Sequence, residues 1–165
     1  LGLAAGGAEG YAAAMFYAIA YAIMSVAAFG AIVMLARRGF EADRIEDFRG
    51  LAARSPWMAG LVLLVMASLA GVPPLLGFWA KVAVLRAALE GDLLWLAIVG
   101  IVFAVIGAFY YLRVIKVMYF EQPEGEPIVV RGGALQAVFA VNALSLLVLG
   151  LFWSPIMAWC QAAFA

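Results

Sequence analysis

The chain has 165 residues, of which 68% are apolar and 12% charged, with 10 Lys and Arg balanced by 10 Asp and Glu. That composition excludes a water-soluble domain, and the lack of a concentrated basic face excludes a nucleic-acid partner. With no histidine and a single cysteine, Cys160, this chain cannot assemble the usual zinc, haem or iron–sulfur ligand sets or an intrachain disulfide.

The chain opens Leu1-Gly2-Leu3, without an initiator Met or the features of a signal peptide. It reads as the C-terminal part of a longer polypeptide and as a single membrane region over residues 1–165. Leu1 to Ala5 is expected to be the tail of an earlier crossing, with Gly6, Gly7 and Gly10 making a short turn. Four long apolar stretches follow, at about Tyr11 to Ala36, Trp57 to Leu89, Leu93 to Met118 and Ala134 to Ala162. Each exceeds the roughly 20 residues a helix needs to span hydrocarbon. Lipid cannot satisfy free backbone groups, so an all-α polytopic fold is predicted. Gly30, Gly60, Gly100 and Gly107 are candidates for close helix packing.

The first crossing carries Tyr17, Tyr21 and Ser25 at i, i+4 and i+8, a polar stripe that either lines water or bonds a neighbouring helix. Its following loop holds Arg37, Arg38, Arg44, Arg49 and Arg54 among Glu41, Asp43, Glu46 and Asp47. The Glu90 to Asp92 turn at the other end of the second crossing has no basic residue, so the arginine loop is predicted to be cytoplasmic. Parity then returns Arg113, Lys116 and Arg131 to the cytoplasmic side and sends Trp153, Trp159 and the C-terminus to the opposite one. Tyr110, Tyr111 and Tyr119 near the basic end of the third crossing read as an interfacial belt, and Asn142 and Ser145 in the fourth as interhelical hydrogen-bonding groups.

The second crossing differs from the rest. In its middle lies Gly71-Val72-Pro73-Pro74-Leu75-Leu76-Gly77, where two prolines remove amide donors and flanking glycines permit unusual backbone. A discontinuous helix is predicted, with unpaired carbonyls that only protein or water can satisfy. Lys81 follows Gly77 by one turn and precedes Glu90 by nine residues, roughly 14 Å inside the outer boundary. Snorkelling suits Arg86, nearer the end, but not Lys81. The four crossings contain no Asp or Glu, so the Lys81 amine must find acceptors among break carbonyls, water, hydroxyls or other helices. Burial disfavours the charged form of an amine in general, and a lysine able to lose and regain a proton is what a proton relay requires.

Ser68-Leu69-Ala70-Gly71-Val72-Pro73-Pro74-Leu75-Leu76-Gly77-Phe78-Trp79-Ala80-Lys81 closely resembles the broken-helix motif of the subunit N family of proton-pumping NADH:quinone oxidoreductase, respiratory complex I. The resemblance extends to Glu46-Asp47-Phe48-Arg49-Gly50-Leu51, to Arg54-Ser55-Pro56-Trp57 and to Tyr110 through Tyr119, nearly the whole chain. It implies an antiporter-like proton-channel subunit of a bacterial plasma membrane, with its C-terminus periplasmic, and with Lys81 as the relay lysine of a broken helix. The sister subunit M has a glutamate at that place and lacks the double proline, and subunit L keeps a lysine in a different local sequence. The resemblance further implies no redox cofactor in this chain, with FMN, Fe–S clusters and quinone in partner subunits, and other complex I membrane subunits as neighbours. A homologous subunit of a multisubunit cation/proton antiporter is the alternative, and a static membrane anchor with Lys81 permanently paired is a third.

Overall fold

The structure, a computed structural model, describes residues 1–36, 44–123 and 133–165. Arg37, Arg38, Glu41, Asp43, Glu126 and Arg131 lie outside the described residues. Every regular element among the described residues is helical. A four-residue helix α1 (Gly2–Ala5) leads into the long α2 (Gly7–Leu35). A short 3-10 turn (Ile45–Phe48) and α3 (Leu51–Arg54) precede α4 (Pro56–Ala70) and α5 (Leu76–Glu90). The chain continues through α6 (Leu94–Phe120), α7 (Ala134–Leu151) and α8 (Trp153–Ala162).

By length and composition α2, α6 and α7 are each able to cross a membrane alone. Helices α4 and α5 have 15 residues each, about 22 Å at the standard rise, so only the two in series complete a crossing. The expected second crossing is therefore present as two half-helices parted at residues 71–75.

The expected fourth crossing is also interrupted, at Phe152, between α7 and α8. Its cause is local. Pro155 has no amide hydrogen, and its ring would strike the carbonyl four residues back, at Leu151, where α7 stops.

Small residues let the helices close on one another. Ala12, Ala13, Ala20, Ala27 and Ala31 of α2 are buried, along with Phe16 and Met34, and Leu61, Val65, Leu76, Met118 and Leu146 complete the core. Gly30 meets the Phe139 ring, 3.0 Å from where its β-carbon would be, and Gly100 meets the Leu1 side chain. A β-carbon on Gly60 or Gly107 would meet nothing within 4 Å among the described residues, so of these four candidates only Gly30 and Gly100 make a close approach. Helix α6 turns Trp95, Ile98, Phe103, Val105 and Phe109 outward. An apolar surface of that extent is stable in hydrocarbon and not in water.

The two ends of the bundle differ. At one, Arg49 pairs with Glu121 at 2.8 Å and Gly50 N–H donates to the Val117 carbonyl at 3.2 Å. Gly50 has φ 64°, and a β-carbon there would lie 2.6 Å from the Pro123 nitrogen. With Phe48 and Leu51 buried, this part of the charged loop is docked on α6 rather than freely solvated. At the other end Gln161 donates to Glu9 at 3.3 Å, near the Arg86–Glu90 pair at 2.7 Å. Residues 44–54 of the arginine loop and the end of α6 thus share one end of the bundle, and the C-terminus lies at the other.

Candidate functional site

A helix that stops inside the membrane leaves carbonyls on its C-terminal end and amides on the N-terminal end of its successor. Helix α4 ends at Gly71, whose φ of 89° is open to glycine and strained for other residues. This left-handed turn lets Gly71 N–H donate to Ala67 and Ser68, and Val72 N–H to Ala67, each at 3.0 Å. Two carbonyls of the last turn, Leu69 and Ala70, are left over. Lys81 fills them: its Nζ donates to Leu69 O at 2.9 Å and to Ala70 O at 2.8 Å.

The opposite half is satisfied in return. Gly77 N–H, in the first turn of α5, donates to Ser68 Oγ at 3.1 Å, and the Ser68 hydroxyl donates to Met24 Sδ at 3.2 Å. Phe78 N–H closes on the Leu75 carbonyl at 3.1 Å. Each half-helix therefore supplies a side chain that caps the other across residues 71–75.

Lys81 is half-buried and sits at the negative end of the α4 dipole, which favours a cation. An ammonium has three donors and two are used on carbonyls, leaving one for an acceptor in the adjoining cleft. A neutral amine has two N–H groups, which match the two carbonyls, and a lone pair that can face the cleft. One geometry accommodates both protonation states.

That cleft has a volume of 560 Å³ and is lined by Lys81, Tyr17, Leu85, Gly100 and Phe103, with Leu1 to Leu3 along one edge. Tyr17 stacks on Tyr21, ring centroids 6.1 Å apart. Lys81 and Tyr17 are thus brought to one cavity, while Tyr21 is half-exposed beyond it and Ser25 is not among the lining residues. Gly71 stands behind the lysine, where a β-carbon would come within 3.0 Å of Lys81 Cδ and Nζ. Pro73 and Pro74, joined by a cis peptide bond, form the crossing point between the halves.

Three contributors escape a reading of the sequence. Ser68 opens the broken-helix motif but nothing in its spacing gives it a bond across the break, and Met24 reaches the break from another helix. Gly150 of α7 is the third: a β-carbon there would overlap the Pro74 carbonyl oxygen and lie 2.7 Å from Leu76 N. Ser145 differs from its expected role, since its hydroxyl donates to the Asn142 carbonyl of its own helix at 2.7 Å. Asn142 Oδ1 is buried and without a hydrogen-bond partner among the described residues.

Fold and site define a polytopic helical membrane protein organised around a discontinuous helix, with an amine seated on the break. A family model for the transmembrane part of NADH:quinone oxidoreductase and Mrp antiporter proteins matches residues 1–107, and the chain belongs to that family. It is 68% identical over 166 residues to NADH-quinone oxidoreductase subunit N of Xanthomonas euvesicatoria pv. vesicatoria (strain 85-10), covering 100% of this chain and 34% of that relative. It is 48% identical to the protein of the same name from Thioalkalivibrio sulfidiphilus (strain HL-EbGR7), covering 99% of this chain and 34% of that one. The chain thus spans about a third of the length of these curated relatives.

Among solved structures it resembles a chain of respiratory complex I from Thermus thermophilus with bound Aureothin, with a TM-score of 0.78 and 27% identity over 92% of this chain and 35% of that one. It also shares the fold of a chain in the Mrp complex from Dietzia sp. DQ12-45-1b, with a TM-score of 0.84 and 24% identity over 100% of this chain and 39% of that one.

Proposed function

We propose that this chain is part of a proton-translocating membrane subunit of NADH:quinone oxidoreductase, in which Lys81 relays protons while partner subunits reduce quinone. The observation that carries the reading is the Lys81 amine held on two break carbonyls, beside a cleft and without a carboxylate partner among the described residues. A proton leaves Nζ on the cleft side, the amine stays on Leu69 and Ala70 through its remaining N–H groups, and the lone pair accepts the next proton. Tyr17, in the same cleft, is a hydroxyl able to donate or accept along that path. Gly71, Pro73, Pro74 and Gly77 form the break that frees the carbonyls.

In this proposal the chain carries no redox chemistry. FMN, Fe–S clusters and quinone belong to partner subunits, and the neighbours in the membrane are other complex I subunits. The protein resides in a bacterial plasma membrane with the Arg44 to Arg54 end cytoplasmic and the C-terminus periplasmic. The subunit N name shared by the curated relatives supports this reading over that of a stand-alone antiporter subunit.

Proton translocation and NADH:quinone turnover in membranes carrying Lys81→Ala and Lys81→Arg, at matched assembly, test it. Lys81→Ala removes a cation that is costly to bury, so the complex still assembles but translocates severalfold more slowly. Lys81→Arg keeps the charge yet cannot release a proton, and is impaired as well. Translocation at the unmodified rate in both variants refutes the relay. Copurification of the whole subunit with flavin and Fe–S proteins is expected, and its absence refutes the assignment to the oxidoreductase.

A further inference from the structure

We propose that Ser68 is a positioning residue for Lys81, a role that rests on the relay reading above: its hydroxyl sets the offset between the two half-helices and thereby the reach of the amine to its carbonyls. Ser68 has no exposed surface, and among the described residues it is the fully buried polar side chain. Its oxygen accepts Gly77 N–H at 3.1 Å and its proton goes to Met24 Sδ at 3.2 Å, so one side chain joins α4, α5 and α2.

The location of this tie matters more than its strength. Ser68 immediately precedes Leu69, the first carbonyl that receives Lys81, and Gly77 lies one turn before Lys81 on the same helix. The bridge thus connects the acceptor side of the site to the donor side by the shortest covalent route. Contact at the bridge is backbone to backbone, since a β-carbon on Gly77 would overlap the Ser68 carbonyl oxygen. At that separation a hydroxyl spans the gap and a methyl group cannot bond across it. Without the hydroxyl, Gly77 N–H faces an apolar interior, and the half-helices regain a partner for it only by shifting against each other. A shift of that kind carries Lys81 away from Leu69 and Ala70.

The test uses the complete complex in native membranes, with translocation measured at matched assembly for Ser68→Ala and Ser68→Cys. Losing the Gly77 N–H to Ser68 Oγ bond, with the weaker one to Met24 Sδ, is expected to lower the Ser68→Ala rate roughly fivefold. Ser68→Cys is slightly larger but keeps the shape and a weak acceptor, so its rate falls between serine and alanine, and it serves alone if Ser68→Ala fails to assemble. In a structure of the impaired variant the Lys81 amine is displaced from at least one of its two carbonyls. The inference is overturned if Ser68→Ala pumps normally, if cysteine is no better than alanine, or if the amine stays on both carbonyls in the impaired variant. Normal pumping by Lys81→Ala removes the relay reading itself, and the inference with it. An impaired Lys81→Ala beside a normal Ser68→Ala overturns the inference alone.

Discussion

Gly150 and Pro74 meet backbone to backbone, with no room for a β-carbon between the α7 glycine and the proline carbonyl. Helix α7 thereby forms the seat of the break. Gly150→Ala forces the elements apart and is expected to destabilise the subunit by about 1–3 kcal/mol, the range for overpacking a filled core. Thermal unfolding or detergent resistance of the assembled complex reads this directly. A variant as stable as the parent shows that the seat is not tight.

Gly71→Ala is expected to impair translocation while leaving most of the assembly intact. Two effects combine: alanine is strained at a φ of 89°, and its β-carbon comes within 3.0 Å of Lys81 Cδ and Nζ. Strain of this kind costs about 1–2 kcal/mol. Gly71→Asn separates the two, because asparagine tolerates the left-handed backbone but retains the β-carbon. Normal pumping by the asparagine variant would assign the alanine defect to strain alone.

The Arg49–Glu121 pair is partly buried at one end of the bundle, with side-chain exposures of 28% and 32%. Water still reaches both groups, so Glu121→Gln is expected to lower stability by about 1 kcal/mol. Docking of the loop then persists through the buried Phe48 and Leu51. A larger loss, measured by limited proteolysis or thermal unfolding, makes the ion pair the main fastener of that loop.

Sidedness is accessible to labelling, although the native thiol is poorly suited to it: Cys160 is 1% exposed. In a Cys160→Ala background, Ala163→Cys is expected to react with an impermeant maleimide from the periplasmic side, and Ala53→Cys from the cytoplasmic side. Both native alanines are exposed. Reaction of both from the same side contradicts a fold in which they occupy opposite ends.

The break was legible because its causes are local: Pro73, Pro74, Gly71 and Gly77 act on the backbone where they stand. The loop charges, read by parity, likewise anticipated that Arg49 and Glu121 lie at one end. What fills the break was not legible. Lys81 reaches carbonyls eleven and twelve residues upstream only because the half-helices fold beside each other. Several acceptors were open to it on sequence alone. Ser68, Met24 and Gly150 take part through distances between elements that no spacing rule encodes. The interruption at Phe152 did carry a local sign, Pro155, obscured by the apolar stretch around it.

The partners of Lys81 have a chemical property that a carboxylate partner would lack. Peptide carbonyls do not titrate, so Leu69 and Ala70 present the same two dipoles whether the membrane is energised or idle and whatever the pH on either side. A carboxylate in their place would gain and lose protons together with the amine, and the two titrations would have to be disentangled before any proton moved on. With acceptors of fixed charge, the seat that α4 offers the amine is the same whether Lys81 is charged or neutral.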